Sequence, residues 1–581
     1  MVKKMIHLTI DGIEVEVEEG TTILEAAQKC GRKIPTLCAL KDINYPGSCR
    51  ICVVQIEGED RMAASCNTVA SDGMAVYTNT PEVINARRMN FEMLLCEHNE
   101  NCTRCARVDS CALKALAADL CVESLPVSAV PVKENWDESF PLQRDNTKCI
   151  KCMRCVSFCD KVQNCGVWDF TGAGTHMKIT VKGGADIKDA GCALCGQCVT
   201  HCPTGALSVR NDINKIIAAL ADPDTKTVVQ VAPAVRSSWG EGVGLEREAA
   251  TQGKMVAALR ALGFDYIFDT DFAADLTIME EGSEVVAALK EKQAGNASKL
   301  PIFTSCCPGW VRFAKLHYPQ VVGKLSSAKS PHQMLGAVIK NTMSSTAQEE
   351  YKRLFCVSIM PCVAKKYECS VDALHTAEGK DVDAVLTVRE FCRMLRMFSV
   401  DCAELQEEEF DQPLGTSTGA GTIFGRTGGV MEAALRTAAF VITGENPDFS
   451  TCDCTSASPE KPWVSKTLNL AGIEVNIAIA SGLGNASKLL DAMEAGKVAY
   501  DFVEVMACPG GCVAGGGQPI HYNEELGLER AKVLNALDSN DTLRRSHENP
   551  QVQKLYKDWL GEPLSECSHV WLHTNQEEWQ I

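Results

Sequence analysis

Residues 149–159, CIKCMRCVSFC, and residues 192–203, CALCGQCVTHCP, carry the same cysteine spacing. Both stretches contain C-x2-C-x2-C-x3-C, so the chain has an internal repeat of cysteines. Thiolates grouped at such short intervals in an intracellular protein are metal ligands. A pair of zinc ribbons is a poor alternative, because a zinc ribbon lacks the third cysteine two residues after its first pair. The repeat predicts two metal clusters in one folding unit.

Composition limits what the rest of the chain can be. The length of 581 residues predicts about four domains. Hydrophobic residues make up 45% and charged residues 23%, which is globular composition and excludes a chain disordered throughout. The net charge of −18 repels phosphate backbones, so binding to nucleic acid is disfavoured.

The same sequence gives expectations about location. No apolar run reaches the ~18 residues of a membrane span, and the start, MVKKMIHLTIDGIEVEVEEG, turns polar too early for a secretory signal. We therefore expect a cytoplasmic protein without a membrane span. Because that compartment keeps thiols reduced, the 31 cysteines are expected to bind metal rather than to form disulfides.

The repeat is the signature of bacterial two-cluster ferredoxins, in which the fourth cysteine of each run binds the other cluster. One 4Fe-4S cluster is therefore expected on Cys149, Cys152, Cys155 and Cys202. A second 4Fe-4S cluster is expected on Cys192, Cys195, Cys198 and Cys159. The exchanged ligands require both runs to fold together, in a domain that we place at residues 131–210.

Residues 1–80 are expected to form a separate domain. Apolar residues alternate on both sides of Asp11-Gly12, which predicts a β-hairpin, and a short helix follows from Thr21. A hairpin, a helix and a late cysteine loop resemble a plant-type ferredoxin (β-grasp) module with one 2Fe-2S cluster. Zinc remains an alternative, since the spacing departs from the plant pattern. The candidate ligands are Cys38, Cys49, Cys52 and Cys66.

Residues 81–130 are expected to be a small helical domain with one cluster. A histidine stands one helical turn before a C-x2-C pair, and a third cysteine follows six residues later. Zinc would accept this Cys₃His set as well, so only the neighbouring clusters favour a third 4Fe-4S cluster. The candidate ligands are His98, Cys102, Cys105 and Cys111.

Residues 211–581 alternate apolar runs with helical stretches, which predicts an α/β domain with mostly parallel sheets. Three of the predicted strands run directly into cysteines, at 302–307, 357–362 and 503–508. Ligands of open α/β sheets lie at the carboxyl ends of strands, so one buried cluster is expected there. A single buried cysteine is usually an inert packing residue, but four cysteines at three strand ends are poorly explained in that way.

Three motifs make the resemblance specific. TSCCPGW (304–310), MPCVAKKYE (360–368) and EVMACPGGCVAGGGQP (504–519) resemble the signature motifs of the iron-only (FeFe) hydrogenases. The ferredoxin-like modules and the tail SHENPQVQKLY (546–556) resemble the extended members, which have four accessory clusters. The resemblance covers essentially the whole chain.

The resemblance implies a six-iron H-cluster that catalyses the reversible reduction of protons to H₂. Its 4Fe-4S part would be bound by Cys307, Cys362, Cys508 and Cys512. Cys512 would also bridge to a diiron unit with carbonyl, cyanide and an amine-containing dithiolate, whose amine is the base. Contacts to this unit are expected from Lys365, Met360, Met506 and the segment Ala232, Pro233 and Ala234.

The family's proton relay maps onto Cys306, Glu281, Ser326 and Glu284. From spacing alone, Glu281 and Glu284 would be assigned to a solvated helix face. The chain also departs from the family pattern, since Ala288 occupies the position of the arginine at the outer end of the relay. His332 replaces a glutamine that is frequent in relatives, and Cys369, Cys452 and Cys454 have no assigned role.

The expected partners follow from the clusters. Electrons would come from or go to a ferredoxin or similar small redox protein, and maturation proteins would supply the diiron unit. A role as the catalytic subunit of an NAD(P)-linked complex is a second possibility, which needs partner subunits because this chain has no visible flavin or nicotinamide site. A non-catalytic hydrogen or redox sensor and an iron–sulfur assembly protein are further alternatives. Retention of Cys306, Lys365 and the Glu281, Ser326 and Glu284 set argues against the assembly protein.

Overall fold

The computed structural model describes residues 4–579, except residues 124, 126, 297, 348–351, 378, 447–460 and 471. Cys452 and Cys454 lie outside the described residues. Within the described ranges, none of the helices combines the length and the apolar character that crossing a bilayer requires.

The N-terminal region is a five-stranded sheet built on the predicted hairpin. Asp11 and Gly12 both have positive φ, 47° and 78°, as the tight hairpin turn requires. Thr22 and Glu25 form a capping box at the start of the one helix of this sheet region. The elements are β1 (Met5–Ile10), β2 (Ile13–Glu18), α1 (Ile23–Lys29), β3 (Val53–Ile56), β4 (Ala63–Ala64) and β5 (Ala75–Tyr77), in sheet order β2-β1-β5-β3-β4.

Two helices and a compact cysteine-rich region follow. The helices are α2 (Pro81–Cys96), which Thr80 caps, and α3 (Ala112–Asp119), which Cys111 caps. The cysteine-rich region has two short antiparallel sheets, β6 with β9 and β7 with β8. Its elements are β6 (Leu142–Arg144), α4 (Arg154–Lys161), β7 (Trp168–Thr171), β8 (Lys178–Val181), α5 (Gln197–Thr200) and β9 (Leu207–Val209).

The rest of the described chain forms two four-stranded sheets with helices around them. In chain order, the elements between residues 213 and 397 are α6 (Ile213–Leu220), β10 (Thr225–Val231), α7 (Gln252–Ala261), β11 (Tyr266–Asp269), α8 (Thr270–Gln293), β12 (Ile302–Phe303), α9 (Pro308–His317), α10 (Pro331–Ala347), β13 (Arg353–Met360), α11 (Lys365–Glu368), β14 (Ala384–Thr387) and α12 (Val388–Met397). The remaining elements are α13 (Gly419–Thr422), α14 (Gly429–Thr443), β15 (Trp463–Leu470), β16 (Ile473–Ser481), α15 (Leu483–Glu494), β17 (Phe502–Met506), α16 (Gly527–Asn540), α17 (Pro550–Leu555) and α18 (Glu566–Leu572).

The sheets are mostly parallel, as predicted. The first has order β11-β10-β13-β14 and is parallel throughout. The second has order β12-β17-β16-β15, in which only β15 runs antiparallel to its neighbour. The sequence predicts seven apolar runs as strands, at 228–231, 266–268, 302–303, 356–360, 384–386, 475–480 and 502–506, and all seven form strands. The strand β15 was missed because its side chains are mostly exposed or half-exposed.

The long helix α8 connects the two sheets and determines where the interior polar groups lie. Phe272 and Leu276 pack in the core of the first sheet, and Ile278 and Val285 in the core of the second. A helix with apolar neighbours on two sides has almost no solvated face. Its acidic residues in the middle are therefore buried, and each needs a polar partner or must stay protonated.

Candidate functional site

The three cysteine motifs meet at the carboxyl ends of β12, β13 and β17. A side-chain carbon built on Gly309 of the first motif would lie 3.1 Å from Ala507 of the third motif and 3.9 Å from Ala364 of the second. A carbon built on Gly517 would lie 2.9 Å from the Cys362 nitrogen. A side chain at position 517 would clash with this backbone and one at position 309 would be tightly packed, so the glycines allow the three segments to approach one another closely.

Four thiols lie at this junction, of which Cys508 is buried and the other three are half-buried. Cys362 and Cys512 are each close enough to Cys307 and Cys508 for the charges to interact. Burial raises the pKa of all four thiols, while the nearby Lys365 ammonium lowers it at Cys307, Cys362 and Cys512. Unpaired soft sulfur donors beside a fixed cation suit an anionic iron–sulfur cluster. Among the described residues, no three His, Cys, Asp or Glu side chains close around a single metal ion.

Lys365 is held in place by a buried carboxylate. Its Nζ donates to Glu368 Oε2 over 2.8 Å and to the Cys306 carbonyl over 3.1 Å. Glu368 also accepts from Ser330 Oγ at 3.0 Å and from His332 Nε2. Burial lowers the pKa of His332 to about 4, with Lys365 adding to the shift, so the imidazole is neutral. His332 thus supports the carboxylate that orients Lys365.

The segment after β10 and the two methionines line the same junction. Gln518 Nε2 donates to the carbonyls of Ala234 and Cys512, at 3.2 Å each, and so joins this segment to the third motif. Ala232 N donates to Ile359 O over 3.0 Å, and Pro233 is buried beside it. Met360 ends β13 and Met506 ends β17, and both are buried.

Cys306 stands beside the four thiols, and a row of polar groups leads away from it. Cys306 is half-buried, and desolvation of its thiol raises its pKa well above the ordinary value, with the charge of Glu281 adding to the shift. Burial and repulsion from Glu284 raise the pKa of Glu281 to about 8. Glu281 is fully buried, so it does not lie on a solvated helix face. Its Oε1 accepts from Ser305 N at 3.4 Å.

The row continues outward from Glu281. Ser326 Oγ donates to Glu284 Oε2 over 2.6 Å, and Ser326 also lies near enough to Glu281 to oppose its rise in pKa. Burial opposes ionisation of Glu284, but the nearby His573 and hydrogen bonds from Ser326 and Ser327 outweigh it and lower the pKa of Glu284. The two carboxyl groups therefore differ in charge at neutral pH: Glu281 is protonated and Glu284 is ionised.

Sequence reasoning missed the groups beyond Glu284. Ser327 Oγ donates to Glu284 Oε1 and lies 2.7 Å from His573 Nδ1. His573 Nε2 lies 2.9 Å from Glu280 Oε2. Nothing in the sequence joins His573 to α8, because these residues are almost 300 positions apart and follow no motif. Ala288, where the family has an arginine, is buried against the apolar core.

The cysteine repeat lines two adjacent cavities. Cys149, Cys152, Cys155 and Cys202 line one of them. The other is lined by Cys159, Cys192, Cys195 and Cys198 and by a fifth thiol, Cys165, which hydrogen-bonds with Cys159. Cysteines from both runs therefore line each cavity. Cys165 was not singled out from the sequence because it lies outside the repeat.

The two N-terminal ligand sets differ in how tightly they are gathered. The buried thiol of Cys38 hydrogen-bonds with those of Cys49 and Cys66, and the Cys52 thiol hydrogen-bonds with that of Cys66. These four thiols could share one small cluster. The set in the helical region is looser. The charges of Cys105 and Cys111 interact, but Cys102 is exposed. His98 is buried, and its Nδ1 has no hydrogen-bond partner among the described atoms.

Profiles of known families match most of the chain. "Iron only hydrogenase large subunit, C-terminal domain" matches residues 225–516, and "Iron hydrogenase small subunit" matches residues 524–577. "2Fe-2S iron-sulfur cluster binding domain" matches residues 3–81. The ferredoxin-like domain of NADH-quinone oxidoreductase subunit 3 matches residues 141–208.

Individual relatives agree with these profiles. The NADP-reducing hydrogenase subunit HndD of Solidesulfovibrio fructosivorans is 45% identical over 98% of this chain and 98% of its own. Iron hydrogenase 1 of Clostridium pasteurianum is 36% identical over 97% of this chain and 99% of its own. A solved apo [FeFe]-hydrogenase of Chlamydomonas reinhardtii is 39% identical, with a TM-score of 0.54 over 63% of this chain and 98% of its own.

Proposed function

Because this chain belongs to the iron-only hydrogenase family and is an oxidoreductase that acts on H₂, we propose how its residues divide that activity among metal binding, proton transfer and electron transfer. The active-site metal would be held by Cys307, Cys362, Cys508 and Cys512. When bound, the H-cluster supplies the metal centre at which two protons and two electrons are exchanged with H₂. Lys365 and the backbone of Ala232, Pro233 and Ala234 would hold the ligands of its diiron unit, with Met360 and Met506 keeping that side dry.

One observation supports this division best: a fifth thiol, Cys306, stands beside the four ligand thiols and next to a protonated carboxyl group. Its backbone carbonyl accepts from Lys365, which also interacts with three of the proposed ligands. What distinguishes Cys306 from the other four thiols is the adjacent Glu281, whose charge acts on it more than any other does. We therefore propose Cys306 as a proton donor rather than a ligand, with Glu281 next in line to resupply it.

The alternating charges of the row suit proton transfer in both directions. Glu281 is protonated, Glu284 is ionised and the Ser326 hydroxyl, which donates to Glu284, lies near both. Once the Cys306 thiol has given up its proton, Glu281 can resupply it, and a proton taken up by Glu284 can then pass through the hydroxyl to the ionised Glu281, which restores the starting state. The route runs in the opposite order when H₂ is oxidised.

Electrons would travel through one 2Fe-2S and three accessory 4Fe-4S clusters, on the cysteine and histidine sets given above. The domains that carry them are proposed at residues 1–80, 81–130 and 131–210, ahead of the catalytic domain at 211–581. Hydrogen bonds between the segments that carry the proposed cluster ligands support this electron route. Asn44 Nδ2 donates to the carbonyls of Cys38 and Cys152, at 2.8 and 3.0 Å, and Arg107 Nη2 donates to that of Cys202 over 2.6 Å.

The last step of the electron route is equally close. The Cys508 thiol lies 3.7 Å from the Cys195 carbonyl, and Gln197 Nε2 donates to Ala514 O over 2.9 Å. The second ferredoxin-type cluster would thus adjoin the active site, while the first would collect electrons from two N-terminal branches. Two branches allow more than one redox partner.

We propose a ferredoxin or similar small redox protein for one branch and NAD(P)-linked partner subunits for the other. The second proposal is supported by the name of the relative HndD, an NADP-reducing hydrogenase subunit that matches nearly the whole chain. Maturation proteins would deliver the diiron unit. The free thiols of the described chain would persist in a reducing compartment, the cytoplasm.

Replacement of the relay thiol tests the proposed function. In matured protein, Cys306→Ala should lower H₂ production from a reduced dye by at least about 100-fold, since it removes a placed proton donor. Iron content should stay at the wild-type level. The matched control is Cys402→Ala, which removes a buried thiol remote from the motifs and should keep its rate. Wild-type turnover by Cys306→Ala would contradict the relay, and a wild-type protein without H₂ turnover would contradict the function itself.

A further inference from the structure

The C-terminal segment brings two histidines to the outer end of the acidic row. His573 follows α18 directly and is buried, and His569, one helical turn earlier, is exposed. Their rings lie 4.4 Å apart between centroids. His573 faces Glu284 through Ser327 Oγ, and its Nδ1 is 3.6 Å from Glu284 Oε1. Two polar contacts, through Ser327 and His573, and one ring contact therefore connect Glu284 to a solvent-exposed imidazole.

We propose that His569 and His573 form the outer end of the proton route, so that protons pass between solvent and Glu284 through the C-terminal segment. This inference rests on the proposed function, because it extends the row of Cys306, Glu281, Ser326 and Glu284. It also accounts for Ala288. That position is buried in the apolar core and cannot transfer protons, whereas the two imidazoles approach Glu284 from a different element.

The groups around His573 favour its protonated form, so that it holds a proton that it can donate. The titratable groups facing it are Glu280 and Glu284 on α8 and His569 on its own helix, while Tyr556 donates to Glu280 from the segment after α17. Burial disfavours the imidazolium, but the hydrogen bond to Glu280 and the nearby carboxylate of Glu284 outweigh it and raise the pKa of His573 to about 9. At neutral pH both ring nitrogens therefore carry protons, and each has an acceptor.

The transfer balances at each step. When H₂ is formed, His573 Nδ1 gives its proton to Ser327 Oγ while the Ser327 hydroxyl proton passes to Glu284 Oε1. The neutral imidazole then takes the next proton by way of a water molecule beside His569, which exchanges protons with solvent. Two protons enter in this way for each H₂, and the two electrons arrive separately through the iron–sulfur clusters.

The alternative is a purely structural role, in which His573 only fastens the C-terminal segment to α8. Three variants separate the two roles. His569→Ala removes an exposed imidazole and leaves the bonds of His573 to Glu280 and Ser327 intact. His573→Gln keeps polarity but cannot carry a proton. His7→Ala, at an exposed histidine of the N-terminal sheet, is the matched control.

The experiment measures H₂ production in matured protein against pH and against added imidazole buffer, together with the apparent Tm. We expect His573→Gln to lose about 100-fold in rate. His569→Ala should lose several-fold in dilute buffer, regain its rate with imidazole, and keep the wild-type Tm. His7→Ala should match wild type throughout. An unchanged rate in His573→Gln, or a His569→Ala variant that equals wild type in dilute buffer, overturns the proposal.

A measurement that does not depend on H₂ turnover distinguishes failure of this proposal from failure of the proposed function. In protein that lacks the diiron unit, ¹⁵N-histidine signals can be assigned to His573 by difference against His573→Gln. We expect His573 to be doubly protonated at about pH 7 and to lose a proton only at higher pH. A His573 that is neutral at about pH 7 overturns the inference, even if H₂ turnover by the wild type supports the function. Absence of wild-type turnover with a protonated His573 would contradict the function alone.

Discussion

At the scale of single residues, Glu281 shows how burial and hydrogen-bond partners determine the protonation state of an acidic side chain in this protein. It lies on a helix packed between two apolar cores, and its Oε2 has no hydrogen-bond partner among the described atoms. An ionised carboxylate there would be poorly solvated, so the proton is retained until about pH 8. Three residues further on, Glu284 is ionised because His573 and two serines surround it. Neighbouring carboxyl groups thus have opposite protonation states because their partners differ.

This difference predicts the behaviour of Glu281→Gln. The amide resembles the protonated acid in shape and polarity but cannot transfer a proton, so H₂ production should fall by about 100-fold. In the wild type the pKa of Glu281 is raised from 4.5 to about 8, and the folded state therefore binds more protons than the unfolded state in this range. The stability that its protonation contributes is lost as pH rises through that window.

The variant should therefore gain in apparent Tm relative to wild type as pH increases from about 5 to about 8. Thermal denaturation across this range measures the effect. Glu291→Gln, on the same helix but in a half-exposed ion pair with Lys299, should show no such trend. A Tm difference that stays constant with pH would show that Glu281 is not buried as a neutral acid.

The residue-level site was only partly predictable from sequence. The proposed ligand cysteines, Cys306 and Lys365 stand in motifs whose local order is distinctive, so they were named in advance. The two glutamates were named only through the family resemblance. His573, Ser327 and Glu280 come from segments that meet only in the folded protein. Their contacts depend on tertiary geometry, which local spacing does not encode. Cys165 was missed for the same reason.

At the scale of elements, a buried carboxylate links a strand of the active site to a helix. Glu504 lies in β17, and its two oxygens accept from Gly428 N at 2.6 Å and Met431 N at 2.7 Å. It thereby caps the start of α14, whose first N–H groups have no partners within the helix. Since β17 leads into Cys508, this cap also fixes the position of a proposed ligand.

Glu504→Gln should weaken this connection. Glutamine has one acceptor oxygen, so one buried N–H loses its partner at a cost of about 1–3 kcal/mol. We expect a lower denaturation midpoint, measured by chemical unfolding of the protein. Glu474→Gln, at an exposed position of the neighbouring β16, should stay within about 0.5 kcal/mol of wild type. Equal stability of both variants would contradict the capping role.

Element prediction succeeded where burial gives a clear pattern. The parallel strands are continuous apolar runs because both faces of their sheets are covered. The edge strand β15 alternates little and exposes Lys466 and Thr467, so it resembles a polar loop in sequence. Charged side chains on an edge strand also discourage pairing with another chain.

At the scale of the whole molecule, the ligand sets are arranged as a branched series. Asn44 joins the loops of Cys38 and Cys152, and Arg107 joins the helical region to Cys202. The Cys508 thiol adjoins the Cys195 loop at the other end. Electrons would thus reach the active site from the N-terminal half of the chain. Protons would come through the C-terminal half, by α8 and, under the further inference, α18.

The cysteine spacings predict an order of domains along the chain, but they do not predict the contacts between the segments. Asn44 and Arg107 stand in no motif. The side chain of each donates a hydrogen bond to a backbone carbonyl group about 100 residues away in the sequence. Such contacts depend on how domains pack. Cysteine spacing, by contrast, is set by the local geometry of each cluster loop and is readable directly.

The central claim is that Cys307, Cys362, Cys508 and Cys512 together hold one H-cluster beside the free thiol of Cys306. Infrared spectroscopy of matured protein tests it most directly. We predict metal-bound carbonyl and cyanide stretches in the wild type, in Cys306→Ala and in the control Cys356→Ala, a buried thiol within β13. We also predict their loss in Cys362→Ala. A wild-type spectrum without these bands, or an unchanged spectrum in Cys362→Ala, would contradict the claim.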